Sequence, residues 1–589
     1  MNQVLNHPDV VACNRDEEEI KKIFYSIATN FDHNNTRFFA LTLQKAFSKM
    51  YDRISVNEDQ IVRFKELIND GQHVVLVPTH RSYIDFLLLS YVLFAYHVKV
   101  PFVAAGEDFQ NIPGINSFLR KSGAFFMKRK FDHKSNPLYV SVFKAYMQSI
   151  LASHKVVEFF VEGTRSRSGK MLRNKNGLIS FAMDLYDRRK VDNIHFVPVS
   201  ISYEHVLEDE SFFKELLGSS KTPESLGRVA KAASVFWTKY GRVDVIFGEP
   251  ISLRDKVGTA APLAQPRMQV VNEIGESIVK NLAKNLCVMP THLIACAFAL
   301  NDFKPMTLSN LVAQFEWLRD VLKEWQIRLD VPVHGTCEST VRQTLETHFK
   351  QHCCFFDNQK RVKLVGERAA LCMSYYKNQI VSVLGPEAVV LVSTLGGIKG
   401  GELKDIQMNV KFVSHVVGVV LSESDVLAIL DERLVPMKIM TNKNGLYRLS
   451  GDSGVIQRAR LLHRLVQSQL DTAIVVAKCV AEQQGMKPAG DWAAYYNHVQ
   501  KFARQRYEQG QVGDLEVCSP EAIKICLYGF VRVNVLGKDC RSLVPDFGRV
   551  VSRIEKYRHI TLDGSRDDSL SFESDTTSAG LGNSRTARL

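Results

Sequence analysis

Short apolar runs and longer helical stretches alternate through the first half of the chain. The runs His73–Val77, Pro101–Ala105, Gly123–Met127, Val156–Val161, Ile194–Ser202 and Arg242–Phe247 are each strand-length and rich in Val, Ile and Phe. Between them, Ser82–Tyr96, Gly114–Lys121, Pro137–Ala152 and Gly177–Arg188 have helical length and spacing. Continuously apolar strands separated by helices predict an α/β domain whose mostly parallel sheet is buried on both faces. Residues 15–70 read as helical, with Thr36–Met50 and Glu58–Leu67 the clearest segments. From about 265 to 560 the pattern is mostly helical, and Leu308–Leu329, Gln457–Gln483 and Asp491–Tyr507 are amphipathic. An apolar run, Ala388–Val392, precedes Gly396-Gly397. The stretch Asp563–Thr586 is rich in Ser, Asp, Gly and Thr and is expected to be disordered. The division is therefore an N-terminal helical region (1–70), an α/β domain (71–260), a largely helical C-terminal domain (261–560) and a tail (561–589).

Composition narrows the choice of partner. A net charge of +12 over 589 residues favours anionic substrates or a membrane surface. No arginine-rich tract with interleaved aromatics is present, which argues against nucleic acid. The 11 cysteines have no repeated spacing and read as reduced thiols. The first twenty residues lack the basic and apolar regions of a signal peptide. The most apolar candidate span, Phe86–Ala105, contains His97 and Lys99 and breaks at Pro101, so contact with a membrane is expected to be peripheral.

Four stretches carry candidate chemistry. In VLVPTHRSYIDFLLL, a buried strand ends at Pro78-Thr79, and His80 precedes Asp85 by five positions. Inside one helix such a pair would point about 140° apart, so His80 must sit on the loop for the carboxylate to orient it as a general base. Thr79 and Ser82 are the expected helix caps. In LRKSGAFFMKRK, a short strand delivers Lys128 and Arg129, and the planar guanidinium suits a phosphate. VVEFFVEGTRSRSGK ends a strand in a turn where Gly163 admits backbone amides to a ligand, Arg165 and Arg167 add charge, and Glu162 can accept from a hydroxyl. The glycine spacing and the Met171 after Lys170 rule out a nucleotide-binding P-loop. In IHFVPVSISYEHVLED, Pro198 lies inside a strand and predicts an edge or bulge that shapes one wall of a cleft. His348, His352, Cys353 and Cys354 cluster in HFKQHCC, but no partner motif accompanies them and no metal site is predicted.

In their order and spacing, HRSYID, GAFFMKR, FVEGTRSRSGK and FVPVSISYE resemble the four-block signature of the glycerolipid acyltransferases. The blocks cover about 75–205. Within that family the likeness is greatest to members that acylate dihydroxyacetone phosphate at the start of ether-lipid synthesis in peroxisomes. The resemblance implies His80 as general base and Asp85 as its orienter. It implies acceptor-phosphate binding by Arg129, Glu162, Gly163 and Ser166, with Arg165 and Arg167 as further contacts, and the acyl-CoA side or site shape for Pro198. Acyl-CoA would be a co-substrate, and neither a metal nor an organic cofactor would be required. Transfer would be direct, since the motifs place no Ser or Cys nucleophile beside His80; Ser82 is the residue that would contradict this. The oxyanion is expected on backbone N–H groups at the start of helix Ser82–Tyr96.

The final tripeptide, Ala587-Arg588-Leu589, resembles a peroxisomal address. It implies a targeting receptor and a location on the lumenal side of the peroxisomal membrane surface. The resemblance adds an alkyl-dihydroxyacetone-phosphate synthase as a partner. Two alternatives stand beside this reading: a glycerol-3-phosphate 1-O-acyltransferase with the same site, and a non-catalytic scaffold that binds lipid or acyl-CoA at a membrane.

Overall fold

The computed structural model describes residues 1–107, 115–128, 136–208, 238–258, 266–332, 335–358, 360–396, 401–419, 421–451, 454–482, 492–537, 547–558 and 560. Arg129, the tail and Ala587-Arg588-Leu589 lie outside the described residues.

All six expected strands form. The main sheet contains β1 (Arg53–Val56), β2 (Val74–Pro78), β3 (Phe102–Gly106), β4 (Ala124–Met127), β5 (Val157–Glu158), β6 (His195–Tyr203), β7 (Arg242–Phe247) and β8 (Ile251–Ser252). Its order is β1-β7-β6-β2-β5-β3-β4, with β8 also on β6. The five strands from β6 to β4 are parallel, while β7 and β8 run antiparallel to β6. β1 pairs in parallel with β7, so the region before residue 70 is not wholly helical as expected: it supplies a strand to the sheet. Four residues between two strong helices carry too little periodicity to be seen as a strand.

Alternation along β2 explains the two layers. Val75 and Val77 point into a core with helices Pro137–Ala152, Gly177–Asp187 and Arg267–Lys284. Val74 and Leu76 point into another with Leu88, Leu89 and Val92 of helix Asp85–Ala95. That second core runs on into the C-terminal half, through Leu384, Val390, Leu465 and Leu470. The apolar run Ala388–Val392 lies inside helix Glu367–Leu395. By length and composition this helix is apolar enough to cross a membrane, yet 83% of its most apolar window is buried within the protein. Lys377, Asn378, Gln379 and Glu387 are buried along it.

Pro198 is not at a sheet edge, since β6 lies between β2 and β7. The ladder with β7 stops at Val199 and that with β8 begins at Phe196. Pro198 faces the turn between them, accepting there from Gly248 N at 2.8 Å, so its missing N–H breaks no ladder bond.

Candidate active site

β2 and β5 are hydrogen-bonded neighbours, so the loops that leave their carboxyl ends lie side by side. His80 is on the first loop and Glu162–Lys170 on the second; Ser166 N donates to His80 O at 3.1 Å. His80 precedes the helix, which starts at Asp85. The expected caps do other work. Thr79 Oγ1 bridges to Ile201, donating to its O at 3.2 Å and accepting from its N at 2.9 Å, and Ser82 Oγ donates to Glu208 at 2.9 Å. The N-cap is Ile84, and the carboxylate of Asp85 gathers the loop amides instead.

Asp85 is fully buried. Its Oδ2 lies 3.0 Å from His80 Nδ1 and accepts from Arg81 N at 2.7 Å and Ser82 N at 2.9 Å. Its Oδ1 accepts from Tyr203 OH at 2.8 Å. A carboxylate that accepts at this position assigns the proton to Nδ1 and leaves Nε2 as the basic nitrogen. The His80 ring stacks on Phe160, centroids 3.9 Å apart, and its side chain is 20% exposed. Burial lowers its pKa below the ordinary 6.5, against the upward pull of Asp85. The imidazole is therefore neutral, and basic, at neutral pH.

The second loop is held by its own carboxylate. Glu162 accepts from His80 N at 2.8 Å, Leu172 N at 3.0 Å and Arg81 NH1 at 3.1 Å. It is buried and engaged on both oxygens, so its place is that of a positioning residue that ties the loops together, not the expected acceptor of a substrate hydroxyl. Gly163 is exposed with φ +66°, and Lys175 runs across it: a Cβ there would meet Lys175 Cδ at 2.5 Å. Arg165 stacks on Tyr83, its Cζ 3.0 Å from the ring centroid, and lies 3.5 Å from Glu208. Arg167 NH1 donates to Thr164 Oγ1 at 3.2 Å and Arg165 O at 3.0 Å. Ser166 Oγ is buried without a hydrogen-bond partner among the described residues.

Of the backbone N–H groups around the helix start, those of residues 80–83 are already engaged. His80 N donates to Glu162, Arg81 N and Ser82 N to Asp85, and Tyr83 N to Glu208 at 2.5 Å. Four consecutive amides are thus consumed by three carboxylates. Ser82 is buried and its hydroxyl donates to Glu208.

Sequence reasoning missed several residues. Tyr203 lies in the fourth block, where nothing in the sequence separates a strand tyrosine of the site from one of the core. Glu208 is buried, and burial outweighs the lowering by Arg165 and by its hydrogen bonds, so its pKa is raised to about 7. Glu158 is buried with both oxygens unpartnered among the described residues, and burial followed by the charge of Asp85 holds it well above the ordinary carboxyl value. The C-terminal half braces the second loop: Glu521 accepts from Ser168 Oγ and from Arg167 N, and Asn378 Nδ2 donates to Ser168 O at 2.8 Å. No motif marks these contacts, since they join residues over 200 positions apart.

His348 and His352 do not gather into a metal site. His348 packs on His205, and among the described residues no group of three or more His, Cys, Asp or Glu is arranged to hold an ion. A cavity of about 630 Å³ lies beyond Met171, whose sulfur is 3.7 Å from Arg81 NH2. Val381, Val383, Val417, Val419, Val466 and Ile525 line it.

Comparison with known proteins identifies the family. The model of an acyltransferase family matches residues 60–202, and that of the glycerol-3-phosphate acyltransferase C-terminal region matches 212–539. A dihydroxyacetone phosphate acyltransferase of Mus musculus is 33% identical over 390 residues, covering 64% of this chain and 56% of the relative. One of Bos taurus is 30% identical over 538 residues, 85% of this chain and 77% of the relative. A glycerol-3-phosphate acyltransferase of Pseudomonas fluorescens is 32% identical over 378 residues, 62% of this chain and 44% of the relative. The sheet that carries His80 and the helical half that braces it are each matched, and on that footing the chain belongs to the family of glycerol-3-phosphate and dihydroxyacetone phosphate acyltransferases.

Proposed function

We propose that this enzyme transfers a fatty acyl group from acyl-CoA to the hydroxyl of dihydroxyacetone phosphate. The observation that carries the chemistry is the His80–Asp85 pair, with Nδ1 bound and Nε2 left as base. The acceptor oxygen attacks the thioester carbonyl while its proton passes to His80 Nε2, a contribution of about 10² to 10⁴ in rate. The C–S bond then breaks, the ester forms, and the leaving thiolate of CoA takes the proton from His80. The buried, bonded state of Ser82 supports direct transfer without an acyl-enzyme.

Arg167, Arg165 and Arg129 are the proposed phosphate contacts, with Gly163 and Ser166 shaping the loop. Lys175 joins them: it crosses Gly163, is exposed, and has no ion-pair partner among the described residues. The cavity beyond Met171 is the proposed place of the acyl chain; its volume is in the usual range of ligand pockets, roughly 300–1,000 Å³. Pro198 acts on site shape through its place in β6. No metal or organic cofactor enters this scheme.

The choice of acceptor rests on likeness to the mammalian relatives along most of the chain. The bacterial relatives keep glycerol-3-phosphate as the second reading. Peripheral association with the peroxisomal membrane on its lumenal side, the synthase and the import receptor belong to the same proposal. Import of the protein with and without residues 587–589 tests the location.

The deciding experiment is acyl transfer from labelled palmitoyl-CoA to dihydroxyacetone phosphate and to glycerol-3-phosphate, with wild type and His80→Ala. Preference for the ketone, lost in the variant, is expected. Preference for glycerol-3-phosphate would install the second reading, and no transfer to either with lipid binding intact would leave a scaffold.

A further inference from the structure

Helix His33–Met50 has two unlike faces. Thr36, Phe39, Ala40, Leu43, Phe47 and Met50 are buried. Phe39 meets Phe118 edge-on at 4.6 Å, and Phe47 meets Tyr91 of helix Asp85–Ala95 at 5.6 Å. On the outer face, Phe38 is 66% exposed and Leu41 59%. Among the described residues no other helix carries two large apolar side chains more than half exposed. They lie three positions apart and so side by side on the surface.

The charges on this helix are all of one sign. Arg37, Lys45 and Lys49 are present, and between His33 and Met50 there is no Asp or Glu. Arg37 and Lys45 are exposed and have no ion-pair partner among the described residues. The neighbouring helix Glu17–Ile27 differs: its exposed Tyr25 is accompanied by Glu17, Glu18 and Glu19 in the first turn. A protein partner of mixed charge gives no reason for an acid-free face. A surface of anionic phospholipid does: apolar side chains enter the acyl boundary while cations meet the headgroups.

We propose that the outer face of helix His33–Met50, through Phe38, Leu41, Arg37 and Lys45, is the surface that docks this enzyme on an anionic lipid bilayer. The inference deepens the membrane-surface part of the proposed function and rests on it. The inner face of the same helix packs on helix Asp85–Ala95, whose first residue orients His80. Two packed helices are separated by roughly 8–10 Å between axes. Docking here sets the catalytic loop one helix layer from the bilayer, where an amphiphilic substrate arrives and an amphiphilic product leaves.

The test is flotation of the full chain with phosphatidylcholine vesicles, with and without phosphatidylserine, for wild type, Phe38→Ser/Leu41→Ser and Arg37→Glu/Lys45→Glu. Thermal melts and acyl transfer from soluble octanoyl-CoA, both expected at wild-type values, show that each variant is folded. Wild type is expected to float with the anionic vesicles and to be released by salt. The apolar variant loses on the order of tenfold or more in partitioning, and the charge variant loses the preference for anionic lipid. Flotation of the apolar variant like wild type would move the contact elsewhere. Failure of wild type to float would overturn docking altogether, whatever the acyl-transfer assay shows. A stable dimer abolished by the apolar variant, without lipid binding, would identify a second copy as the occupant and overturn the proposal.

Discussion

The carboxylate of Asp85 binds His80 Nδ1 at 3.0 Å and, on its other oxygen, the hydroxyl of Tyr203 at 2.8 Å. One buried group thus fixes a ring, a loop and a strand. Asp85→Asn presents an amide that cannot accept at both sites, so the imidazole loses its tautomer and the loop amides lose a partner. Turnover should fall on the order of 10³ to 10⁴, with the acceptor KM changed about threefold or less. Tyr203→Phe removes a single donor and should cost about tenfold in kcat. Steady-state kinetics on both variants check this; equal losses would mean that Tyr203 does more than hold Asp85.

The pH profile should follow burial of His80. The base works when neutral, so activity is lost as pH falls through its folded-state pKa. Burial lowers that value below 6.5 in spite of Asp85. The acid limb of kcat/KM should therefore lie below pH 6.5. Phe160→Ala uncovers the ring and should move the limb upward, toward the ordinary imidazole value. A limb above 6.5 in wild type would assign it to another group.

Six of the eight strands of the main sheet and the His80–Asp85 pair are legible because buried strands and a five-residue offset leave local marks on the sequence. The bracing of the catalytic loops is not. Glu208, in a turn after β6, and Glu521 and Asn378, on helices, act across long separations, and single acidic or amide residues read as solvated surface. The engagement of the loop amides leaves no local mark for a related reason: Asp85 at the helix's own start takes two of the four, and Glu162 on the second loop and Glu208 take the others. The glutamate of the third block looked like a ligand contact and proves to be internal, because its partners Arg81 and Leu172 lie on two different loops.

The brace from the C-terminal half should be felt at the acceptor and not at the base. Glu521 touches Ser168 and Arg167 N, on the loop proposed to hold phosphate. Glu521→Ala should raise the acceptor KM about tenfold while kcat changes about threefold or less, since the loop loses a brace and the substrate loses no direct contact. Arg167→Ala should give the same pattern, and the double variant should cost less than the sum. Strictly additive losses would mean that the two act separately.

Chain-length selection offers a check on the cavity. Val383 is partly exposed on its wall, so a larger side chain there enters the void without overpacking a closed core. Val383→Phe should shorten the preferred acyl chain by about two to four carbons, each methylene being worth about 0.8 kcal/mol of burial. Competition between acyl-CoAs of different length measures it, and an unchanged optimum would place the chain in another cleft.

Glu516 is the most exacting stability test. It lies 2.5 Å from Lys170 Nζ and 3.5 Å from Lys377 Nζ, and accepts from Ser468 Oγ at 2.9 Å and Asn378 Nδ2 at 3.0 Å. Burial alone would push its carboxyl up, but the two lysines outweigh burial and hold it below the ordinary value. Glu516→Gln leaves Lys170 and Lys377 buried beside a neutral amide and should cost about 3–5 kcal/mol. A depressed carboxyl contributes stability above its unfolded-state pKa and loses it as pH falls through the folded-state value. Wild type should therefore weaken on acidification below the ordinary carboxyl range, and Glu516→Gln should lose that part of the slope. Urea melts at neutral and acid pH measure both. A variant as stable as wild type at neutral pH would show that water or a shift of the lysines relieves their charge, and that Glu516 is not what joins the catalytic loop to the helical half.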